Sequence, residues 1–412
     1  MSELGSVTHT TERIHRLELP EHQEKLGKSL RAAERELEQN TWKHTSLIDL
    51  TYADTRRFPA PDWAIKVFTE ATQGGGSYTY TSYRGDRAVR ETLHPHLSRF
   101  LGLEFDPGTE LMLTPGTQGA LYTALASLVQ PGDKVAVMDP DYLTNHRMMR
   151  YFGAEVTTIP LLWRNKETIS VDIDKLEETF QKGAKVFLFS NPNNPTGIIH
   201  GPETVKAIAQ LAQKYNVFII ADELYSRLIY DNRPFLHIAT LEGMKERTLT
   251  VLGPSKTESM SGYRLGVAVG PAFLIDRMED VQSVAALRAP AYAQHLLKHW
   301  LSDDEALISA RIQEYQALRD TGVDRLRQSG LVDVITPGGT SYMYPRITAF
   351  EASDQEVALR LQNDAGVIVN PGYQSGLGGT GHFRICFAQD EKVWDQALTG
   401  IIDTLKVMQK ER

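Results

Sequence analysis

The chain of 412 residues contains a single cysteine, Cys386, and no long apolar run. One cysteine excludes an intramolecular disulfide, so nothing in the sequence points to an oxidising compartment. No apolar run approaches the ~18 residues that a membrane span needs. Residues 1–11 are polar and lack the basic-then-apolar pattern of a signal peptide. We therefore expect a cytoplasmic protein that does not insert into a membrane.

Positive charge is also scarce, since 44 Lys and Arg face 52 Asp and Glu, which gives a net charge of −8. A nucleic-acid-binding protein would normally show a basic face, so we predict no nucleic-acid partner. No metal site is predicted either. The hydrophobic share of 41% is ordinary for a globular enzyme. The length exceeds that of one typical hydrophobic core, which predicts two domains.

Apolar segments typical of buried strands alternate with helical segments from residue 110 onward. Strands that are apolar along their whole length are usually covered on both faces, as in a parallel sheet flanked by helices. We therefore predict an α/β fold with two parts. The large domain holds a mostly parallel sheet between helices, and a smaller α+β domain is built from both chain ends. The predicted strands of the large domain span residues 111–114, 134–138, 184–189, 217–220, 248–252 and 265–269, and a mostly helical segment is predicted over residues 288–328.

The predicted domain limits follow from this pattern. Residues 1–45 are predicted to form a helical arm and residues 73–304 the large domain, whereas the small domain combines residues 46–72 with 305–412. Apolar residues at three- and four-residue steps over residues 21–41 predict one helix in the arm. This helix is either a solvated arm with one packed stripe or a cover for a partner subunit or an active site.

Lys256 follows the apolar strand predicted over residues 248–252 and lies in a turn of small residues. An amine at the end of a buried strand can lose part of its hydration, which lowers its pKa and makes it a nucleophile. Amines of this kind form Schiff bases with carbonyl cofactors. The ends of the other strands are therefore the places to look for cofactor ligands.

Polar residues do follow the other predicted strands. Residues 115–119 open a helix, and backbone N–H groups at a helix start suit a phosphate, although many strand-to-helix turns look the same. Tyr142 is either a stacking partner for an aromatic ring or a half-buried core tyrosine. Residues 190–197 contain two prolines and three asparagines, which indicates a rigid turn with an amide side chain available.

Three further residues suit an anionic aromatic ligand. Asp222 ends a predicted buried strand, where a carboxylate is costly unless it meets a cation or hydrogen-bond donors. It could pair with a protonated ring nitrogen, and Tyr225 could donate a hydrogen bond to a phenolate oxygen. Arg264 could bind a phosphate in a bidentate manner.

These motifs resemble those of one enzyme family. The residues that carry the resemblance are Asn193-Asn194-Pro195-Thr196-Gly197, Asp222-x-x-Tyr225, and Ser255-Lys256 with Gly262-Tyr263-Arg264-Leu265-Gly266. In these residues, their order and their separations, the chain resembles the pyridoxal-phosphate-dependent aminotransferases of class I/II, the aspartate aminotransferase superfamily of fold type I. The resemblance covers roughly residues 46–412.

The resemblance implies a cofactor, pyridoxal 5′-phosphate, and a role for each matching residue. Lys256 would hold the cofactor as an aldimine and then carry the proton, with Asp222 paired to the pyridinium nitrogen and Tyr225 bonded to the phenolic oxygen. These three are the implied catalytic residues. The other implied cofactor-binding residues are Gly116, Thr117, Gln118, Tyr142, Asn194, Ser255 and Arg264.

The resemblance also implies a partner subunit and a substrate clamp. Tyr80 matches the tyrosine that reaches the cofactor phosphate of the neighbouring subunit, which implies a homodimer with active sites shared across the interface. Arg384 matches the arginine that binds the substrate α-carboxylate; without the resemblance, a surface charge at a strand start would be as good an interpretation. Asn194 and Ala53 are the other implied substrate-binding residues.

The implied activity moves the amino group of an α-amino acid to a 2-oxo acid through a pyridoxamine phosphate intermediate. A second hypothesis is another reaction of fold type I enzymes, such as elimination or replacement, cyclisation, decarboxylation or oxidation, because one fold supports many reactions. A third, a non-catalytic binding protein, is disfavoured by the intact Lys256, Asp222, Tyr225 and Arg264.

The chain departs from the family pattern near the substrate. Ala53 stands where a glycine is usual, Gly253 where a serine is common, and Glu258 where the family has an aromatic or apolar residue. Glu258 is interpreted either as an ion-pair residue near the dimer interface or as a carboxylate that recognises a basic or polar group of the substrate.

Overall fold

The computed structural model describes residues 11–17, 47–74, 79–164 and 168–412. The helix predicted over residues 21–41 lies outside the described residues. The strands are β1 (Ile48–Asp49), β2 (Leu111–Pro115), β3 (Lys134–Asp139), β4 (Glu155–Trp163), β5 (Ile169–Val171), β6 (Val186–Ser190), β7 (Phe218–Asp222), β8 (Thr248–Leu252), β9 (Leu265–Val269), β10 (Val332–Asp333), β11 (Tyr342–Met343), β12 (Arg346–Ile347), β13 (Val367–Ile368), β14 (Asn370–Pro371) and β15 (Phe383–Cys386). The helices are α1 (Glu12–His15), α2 (Asp62–Gln73), α3 (Arg87–Leu101), α4 (Gly116–Leu128), α5 (Leu143–Tyr151), α6 (Ile173–Gln181), α7 (Pro202–Lys214), α8 (Ala272–Ala285), α9 (Glu305–Gln328), α10 (Asp354–Ala365) and α11 (Glu391–Lys410).

An eight-stranded sheet forms the centre of the large part, in the order β2-β9-β8-β7-β6-β3-β4-β5. The block from β8 to β4 is parallel throughout, whereas β9 and β5 run antiparallel to their neighbours. All residues of β8 and β9 are buried. The predicted α/β class with a mostly parallel sheet is therefore confirmed.

Helices cover both faces of this sheet, which is why its central strands are apolar along their length. On one face, residues of α6 and α7 pack with Phe187 and Ile219, and the rings of Phe180 and Phe187 lie 5.7 Å apart. On the other face, residues of α4 and α8 pack with Leu188 and Leu249. The polar carboxyl ends of the parallel strands are left at one edge, between these layers.

A smaller α+β unit joins the two ends of the described chain. Strand β1 pairs in parallel with β13, so that Ile48 lies opposite Val367. The three-stranded sheet β11-β15-β14 and helices α9, α10 and α11 surround a core that contains Trp394 and Phe383. The predicted small α+β domain built from both chain ends is confirmed, while the limits at residues 72 and 305 stay predictions.

Several elements differ from the sequence-based predictions, among them strands β4 and β5 and the start of α9. Strand β4 is not predicted, because Thr157, Thr158 and Pro160 interrupt its apolar character and most of its residues are only partly buried. A mostly helical segment is predicted over residues 288–328, yet α9 begins only at Glu305. Pro290 lacks the N–H that a continuous helix needs, and a short 3₁₀ turn precedes α9.

Candidate active site

The residues with predicted cofactor roles gather at the carboxyl edge of the parallel strands. Tyr142 follows β3, Asn194 follows β6, Asp222 ends β7 and Lys256 follows β8. Because parallel strands end at the same edge of a sheet, their following loops converge there. The structure thus brings the four loops together around one candidate site.

Asp222 is the buried carboxylate of this site, with 6% of its surface exposed. Its Oδ1 accepts a hydrogen bond of 3.2 Å from the Leu224 N–H. Burial raises the pKa of Asp222 to about 6; the Leu224 hydrogen bond opposes that shift, and the nearby Glu223 charge adds to it. A carboxylate in this position gains from a cationic partner, such as a protonated ring nitrogen.

Tyr225 presents a second unsatisfied group to the site. Its hydroxyl is buried and forms no hydrogen bond within the described part of the chain. Burial raises the pKa of Tyr225 well above its ordinary value, and the charge of the neighbouring Tyr342 hydroxyl adds to the shift. The two hydroxyls do not meet with hydrogen-bond geometry. A buried hydroxyl without a partner is costly, so it suits a ligand oxygen.

Asp141 fixes the loops that carry Tyr142 and Asn194. Its Oδ1 accepts from the Tyr142 N–H at 2.6 Å, and its Oδ2 accepts from the Ser190 N–H at 3.0 Å and from Asn193 Nδ2 at 3.3 Å. Burial raises the pKa of Asp141 to about 7. These bonds hold the two loops in one fixed relation.

The start of helix α4 and the loop before β9 form a cradle. The Gly116 N–H donates to the Arg264 carbonyl at 3.0 Å, and Arg264 adopts a left-handed backbone with φ of 54°. A Cβ on Gly116 would overlap the Arg264 guanidinium, and the φ of 74° at Gly116 is a left-handed backbone conformation that favours glycine. Thr117 lies beside Gly253, and a Cβ built on that glycine would come within 3.3 Å of the threonine methyl. The α4 N–H groups and the guanidinium can therefore share one anion.

Two residues predicted for the phosphate point elsewhere with their side chains. The Gln118 carboxamide accepts from Thr144 Oγ1 at 3.2 Å and contacts the Met148 sulfur at 3.2 Å. Ser255 is buried, and its Oγ donates to the Leu265 carbonyl at 3.5 Å. Gln118 therefore offers its backbone N–H to the cradle.

Arg384 projects from β15 into the site and is held by three hydrogen bonds. Its Nη1 donates to Asn194 Oδ1 at 2.9 Å, and its Nη2 donates to Asn370 Oδ1 at 2.7 Å and to the Thr51 carbonyl at 3.2 Å. Only 8% of Arg384 is exposed, and its buried Nε has no partner among the described residues. Arg384 is thus a buried, preorganised guanidinium and not a surface charge.

Lys256 and Arg384 both act on the buried Cys386 thiol. Lys256 is half-buried, and its positive charge acts on Cys386, two residues beyond Arg384. Burial raises the pKa of the Cys386 thiol, whereas the charges of Arg384 and Lys256 lower it. Cys386 is therefore within electrostatic reach of both cations.

Ala53 and Tyr80 take different positions from the residues above. Ala53 is half-buried and packs against the core of the small unit, two residues after the Thr51 that contacts Arg384. Tyr80 is 80% exposed, and its ring lies 5.1 Å from the Arg288 guanidinium. Within one chain, Tyr80 is not brought to the other candidate residues.

Glu258 is enclosed in an ion cluster that excludes solvent. Arg227 bonds Glu258 and also donates twice to Asp304, at 2.8 and 2.9 Å, and the Trp300 Nε1 donates to Glu258 at 3.0 Å. Burial raises the pKa of Glu258, and the Arg227 charge lowers it. With its oxygens occupied and no exposed surface, Glu258 fits the ion-pair interpretation and not that of a substrate-recognising residue.

Sequence reasoning misses Asn370, Tyr342 and Asp141 as members of this site. Asn370 becomes visible only through strand pairing, where it lies directly opposite Arg384. Tyr342 lies in a short strand without any motif, and Asp141 differs from many surface carboxylates only in being buried. Their roles come from tertiary contacts, to which local sequence gives no signal.

The described ranges contain no group of three or more His, Cys, Asp and Glu that could hold a metal ion. Among the same residues, none of the helices is both long enough and apolar enough to span a membrane.

Comparison with known proteins identifies the family. The family model described as aminotransferase class I and II matches residues 46–401, so the chain belongs to this family. It is 30% identical to a putative aminotransferase, YugH, of Bacillus subtilis, over 82% of this chain and 86% of that protein. It is 28% identical to aromatic-amino-acid aminotransferase 2 of Thermococcus litoralis, over 83% and 88% of the two chains.

A solved structure supports the same assignment. The crystal structure of an aspartate aminotransferase from Rhodobacter sphaeroides matches with a TM-score of 0.86 and 36% identity, covering 92% of this chain and 99% of that one. The chain is thus an aminotransferase of a pyridoxal-phosphate-dependent family, as predicted. The relatives named here are all aminotransferases, so they favour amino-group transfer over the alternative reactions.

Proposed function

We propose that this aminotransferase binds pyridoxal 5′-phosphate at the carboxyl edge of its sheet and uses it to move an amino group between an α-amino acid and a 2-oxo acid. The observation that carries the proposal is the buried Asp222 carboxylate at the end of β7, followed by the buried Tyr225 hydroxyl, which has no hydrogen-bond partner among the described residues. Together with the Gly116–Arg264 cradle, these groups fit the ring nitrogen, the phenolic oxygen and the phosphate of that cofactor.

Each side chain then has a defined task. When bound, the cofactor supplies a carbonyl carbon that reacts with amines and a ring that withdraws electrons. The Lys256 amine would hold the cofactor covalently at that carbon and, once a substrate amine had replaced it, would take the proton from the substrate α-carbon and pass it to the cofactor carbon. Asp222 keeps the ring nitrogen protonated, since its buried charge is stabilised by that cation.

The hydrogen bonds already present indicate which groups are left to hold the phenolic oxygen and the phosphate of the cofactor. Asn194 accepts from Arg384 with its oxygen, which leaves its N–H₂ group as a donor, and the Tyr225 hydroxyl has no hydrogen-bond partner among the described residues. Both can hold the phenolic oxygen. Tyr142 covers the ring face. The N–H groups of Thr117 and Gln118 and the Arg264 guanidinium form the proposed phosphate site, beside Gly116, whose own N–H donates to the Arg264 carbonyl. Ser255 would join this site by turning its hydroxyl away from the Leu265 carbonyl.

Arg384 is the proposed ligand of the substrate α-carboxylate. Its Nη1 and Nη2 are anchored to Asn194 and Asn370, while its buried Nε is free to donate. A guanidinium that is already oriented binds a carboxylate with little further ordering. Ala53 lies next to this clamp and bounds the substrate space. The relatives named above differ in their amino acids, so the side chain of the substrate is left to experiment.

We further propose a homodimer in which Tyr80 serves the neighbouring cofactor site. Tyr80, Val284 and Leu287 are large and exposed in the single chain. A mostly apolar cleft of about 590 Å³ also opens beside Gln118 and Arg264, at the outer side of the cradle. A second subunit that covers these groups would complete the phosphate site. The cytoplasmic location stays a prediction from the single cysteine.

The test is a half-reaction without any 2-oxo acid. The purified enzyme is loaded with pyridoxal phosphate and mixed with L-aspartate, L-glutamate, L-phenylalanine or L,L-diaminopimelate, and its absorption spectrum is followed. We expect at least one amino acid to convert the cofactor stoichiometrically to the pyridoxamine form. Sustained turnover with release of ammonia or carbon dioxide, or no conversion by any amino acid, would contradict the proposal.

A further inference from the structure

We propose that Tyr342 is a positioning residue that orients Arg384 for the substrate carboxylate and links this clamp to Tyr225 at the cofactor ring. The inference rests on the proposed function, and it assigns a role to a residue that carries no family motif. Its basis is the packing of one buried ring between two groups of the site.

The three-stranded sheet places Tyr342 next to Arg384. In β11-β15-β14, Tyr342 lies opposite Cys386, and Asn370 lies opposite Arg384. Arg384 and Cys386 are two residues apart on β15, so their side chains share a face of the sheet. Tyr342 is therefore the diagonal neighbour of Arg384, within reach of a large aromatic side chain.

The ring and the hydrogen bonds restrain different motions of the guanidinium. The Arg384 carbon Cζ lies 4.1 Å from the centre of the Tyr342 ring. Bonds to Asn194 and Asn370 fix the guanidinium from its edge, whereas the ring supports one face. Only 4% of Tyr342 is exposed, and a cation–π contact shielded from water is stronger than an exposed one.

The same ring contacts the other side of the site. The rings of Tyr225 and Tyr342 lie 5.9 Å apart at 74°, an edge-on contact. Tyr225 follows β7 of the large sheet, whereas Tyr342 and Arg384 belong to the small unit. Tyr342 thus spans the boundary between the proposed ring-oxygen donor and the carboxylate clamp, and it sets their separation.

The proposal predicts a selective loss of carboxylate binding. Tyr342→Leu removes the ring face, so Arg384 gains freedom and binds a carboxylate roughly three- to thirtyfold more weakly. Tyr342→Phe keeps the ring and should retain the affinity within about twofold. Cofactor affinity should stay near the wild-type value in both variants, because neither change touches the phosphate cradle.

The experiment uses the enzyme loaded with pyridoxal phosphate and two unreactive probes, succinate and 3-phenylpropionate. Calorimetric titration gives the affinity of each carboxylate, and steady-state kinetics with the fastest amino acid of the panel give KM and kcat. We expect Tyr342→Leu to raise KM more than it lowers kcat. If this variant does not fold, Tyr342→Met takes its place, because methionine fills irregular space.

Tyr315→Leu is the matched control, since Tyr315 is a buried tyrosine of the same core cluster that packs on Phe58 and Phe387. It should lower thermal stability without weakening carboxylate binding. Equal affinity in wild type and Tyr342→Leu, equal losses in Tyr342→Leu and Tyr342→Phe, or an equal loss in Tyr315→Leu would each overturn the proposal.

Failure of the proposed function would look different. A wild-type enzyme that binds the probes but converts no amino acid would contradict the proposed reaction and leave the effect of Tyr342 measurable. A wild-type enzyme that binds neither probe would contradict the carboxylate clamp, and the role of Tyr342 with it.

Discussion

Asp222 is a buried carboxylate whose charge is unfavourable in the cofactor-free protein. Binding of a cofactor with a cationic ring nitrogen would relieve this cost. The pKa of Asp222 is raised to about 6 by burial, so in the cofactor-free protein the charged form is disfavoured. The folded state binds the proton more tightly than the unfolded state, whose pKa is near 3.8. This contribution to stability is complete below the unfolded pKa and is lost as the pH rises through about 6.

The first prediction compares the cofactor-free wild type with Asp222→Asn. Between pH 4 and pH 7, the wild type should lose roughly 3 kcal/mol of unfolding free energy relative to the variant, because only the wild type deprotonates a buried carboxylate. Denaturant unfolding at several pH values measures the difference, in which the other titrating groups cancel. A difference that does not change with pH would contradict the buried, unpaired state of Asp222.

The second prediction concerns the buried ion cluster of Arg227, Glu258 and Asp304. Arg227→Leu leaves Glu258 and Asp304 buried without their shared cation and should cost about 3–5 kcal/mol of unfolding free energy. The control is Arg57→Leu, whose ion pair with Glu314 is exposed and should be worth about 1 kcal/mol or less. Chemical denaturation compares the two variants.

Glu258→Gln separates the two interpretations of this residue. The amide still accepts from Trp300, so relative rates across the amino acid panel should change in parallel. A selective loss for basic amino acids alone would restore the role of substrate recognition.

Helix α4 and strand β9 lie so close together at the cradle that one added methyl group should push them apart. A Cβ on Gly266 would overlap the Gly116 carbonyl group and the Thr114 hydroxyl. The third prediction is that Gly266→Ala lowers cofactor affinity by about tenfold or more, because overpacking by one methyl costs about 1–3 kcal/mol and displaces the start of α4. Fluorescence titration of the cofactor-free protein measures the affinity.

Gly262→Ala serves as the control, since a Cβ at Gly262 meets no atom within 4 Å. Its cofactor affinity should match that of the wild type. Equal affinities for all three proteins would mean that the approach of β9 to α4 does not shape the phosphate site.

The elements that sequence predicts well are those whose signal is local. Strands β8 and β9 are buried on both faces, so their apolar runs reveal them directly. Strand β4 is not predicted because Thr157, Thr158 and Pro160 interrupt its apolar character. A strand near the edge of the sheet can contain such residues. The break before α9 is missed because residues 288–304 have helical propensity. Pro290 and tertiary packing nevertheless prevent a continuous helix there.

Across the whole molecule, the cofactor side of the site is easier to predict than the substrate side. Lys256, Asp222 and Tyr225 each follow a strand within one short motif, so their convergence follows from the order of a parallel sheet. Asn370 and Tyr342 reach Arg384 through pairing of short strands in the small unit, and no local pattern marks them. The burial of Glu258 likewise depends on Arg227, 31 residues away.

The fourth prediction tests whether two subunits share a site. Tyr80→Ala and Lys256→Ala homodimers should each have little activity. In a mixed dimer, the subunit that keeps Lys256 would receive Tyr80 from the other chain, so one site is intact. Random co-assembly should therefore restore about a quarter of the wild-type activity. No restoration in verified mixed dimers would contradict a shared site.

Chemical trapping shows directly whether Lys256 carries the cofactor. The protein is incubated with pyridoxal phosphate, reduced with borohydride and digested, and the modified peptide is located by mass spectrometry. We expect one pyridoxyl phosphate group on the peptide that contains Lys256, and none in Lys256→Ala. An unmodified wild-type protein, or modification at a different lysine with Lys256 left free, would contradict this expectation.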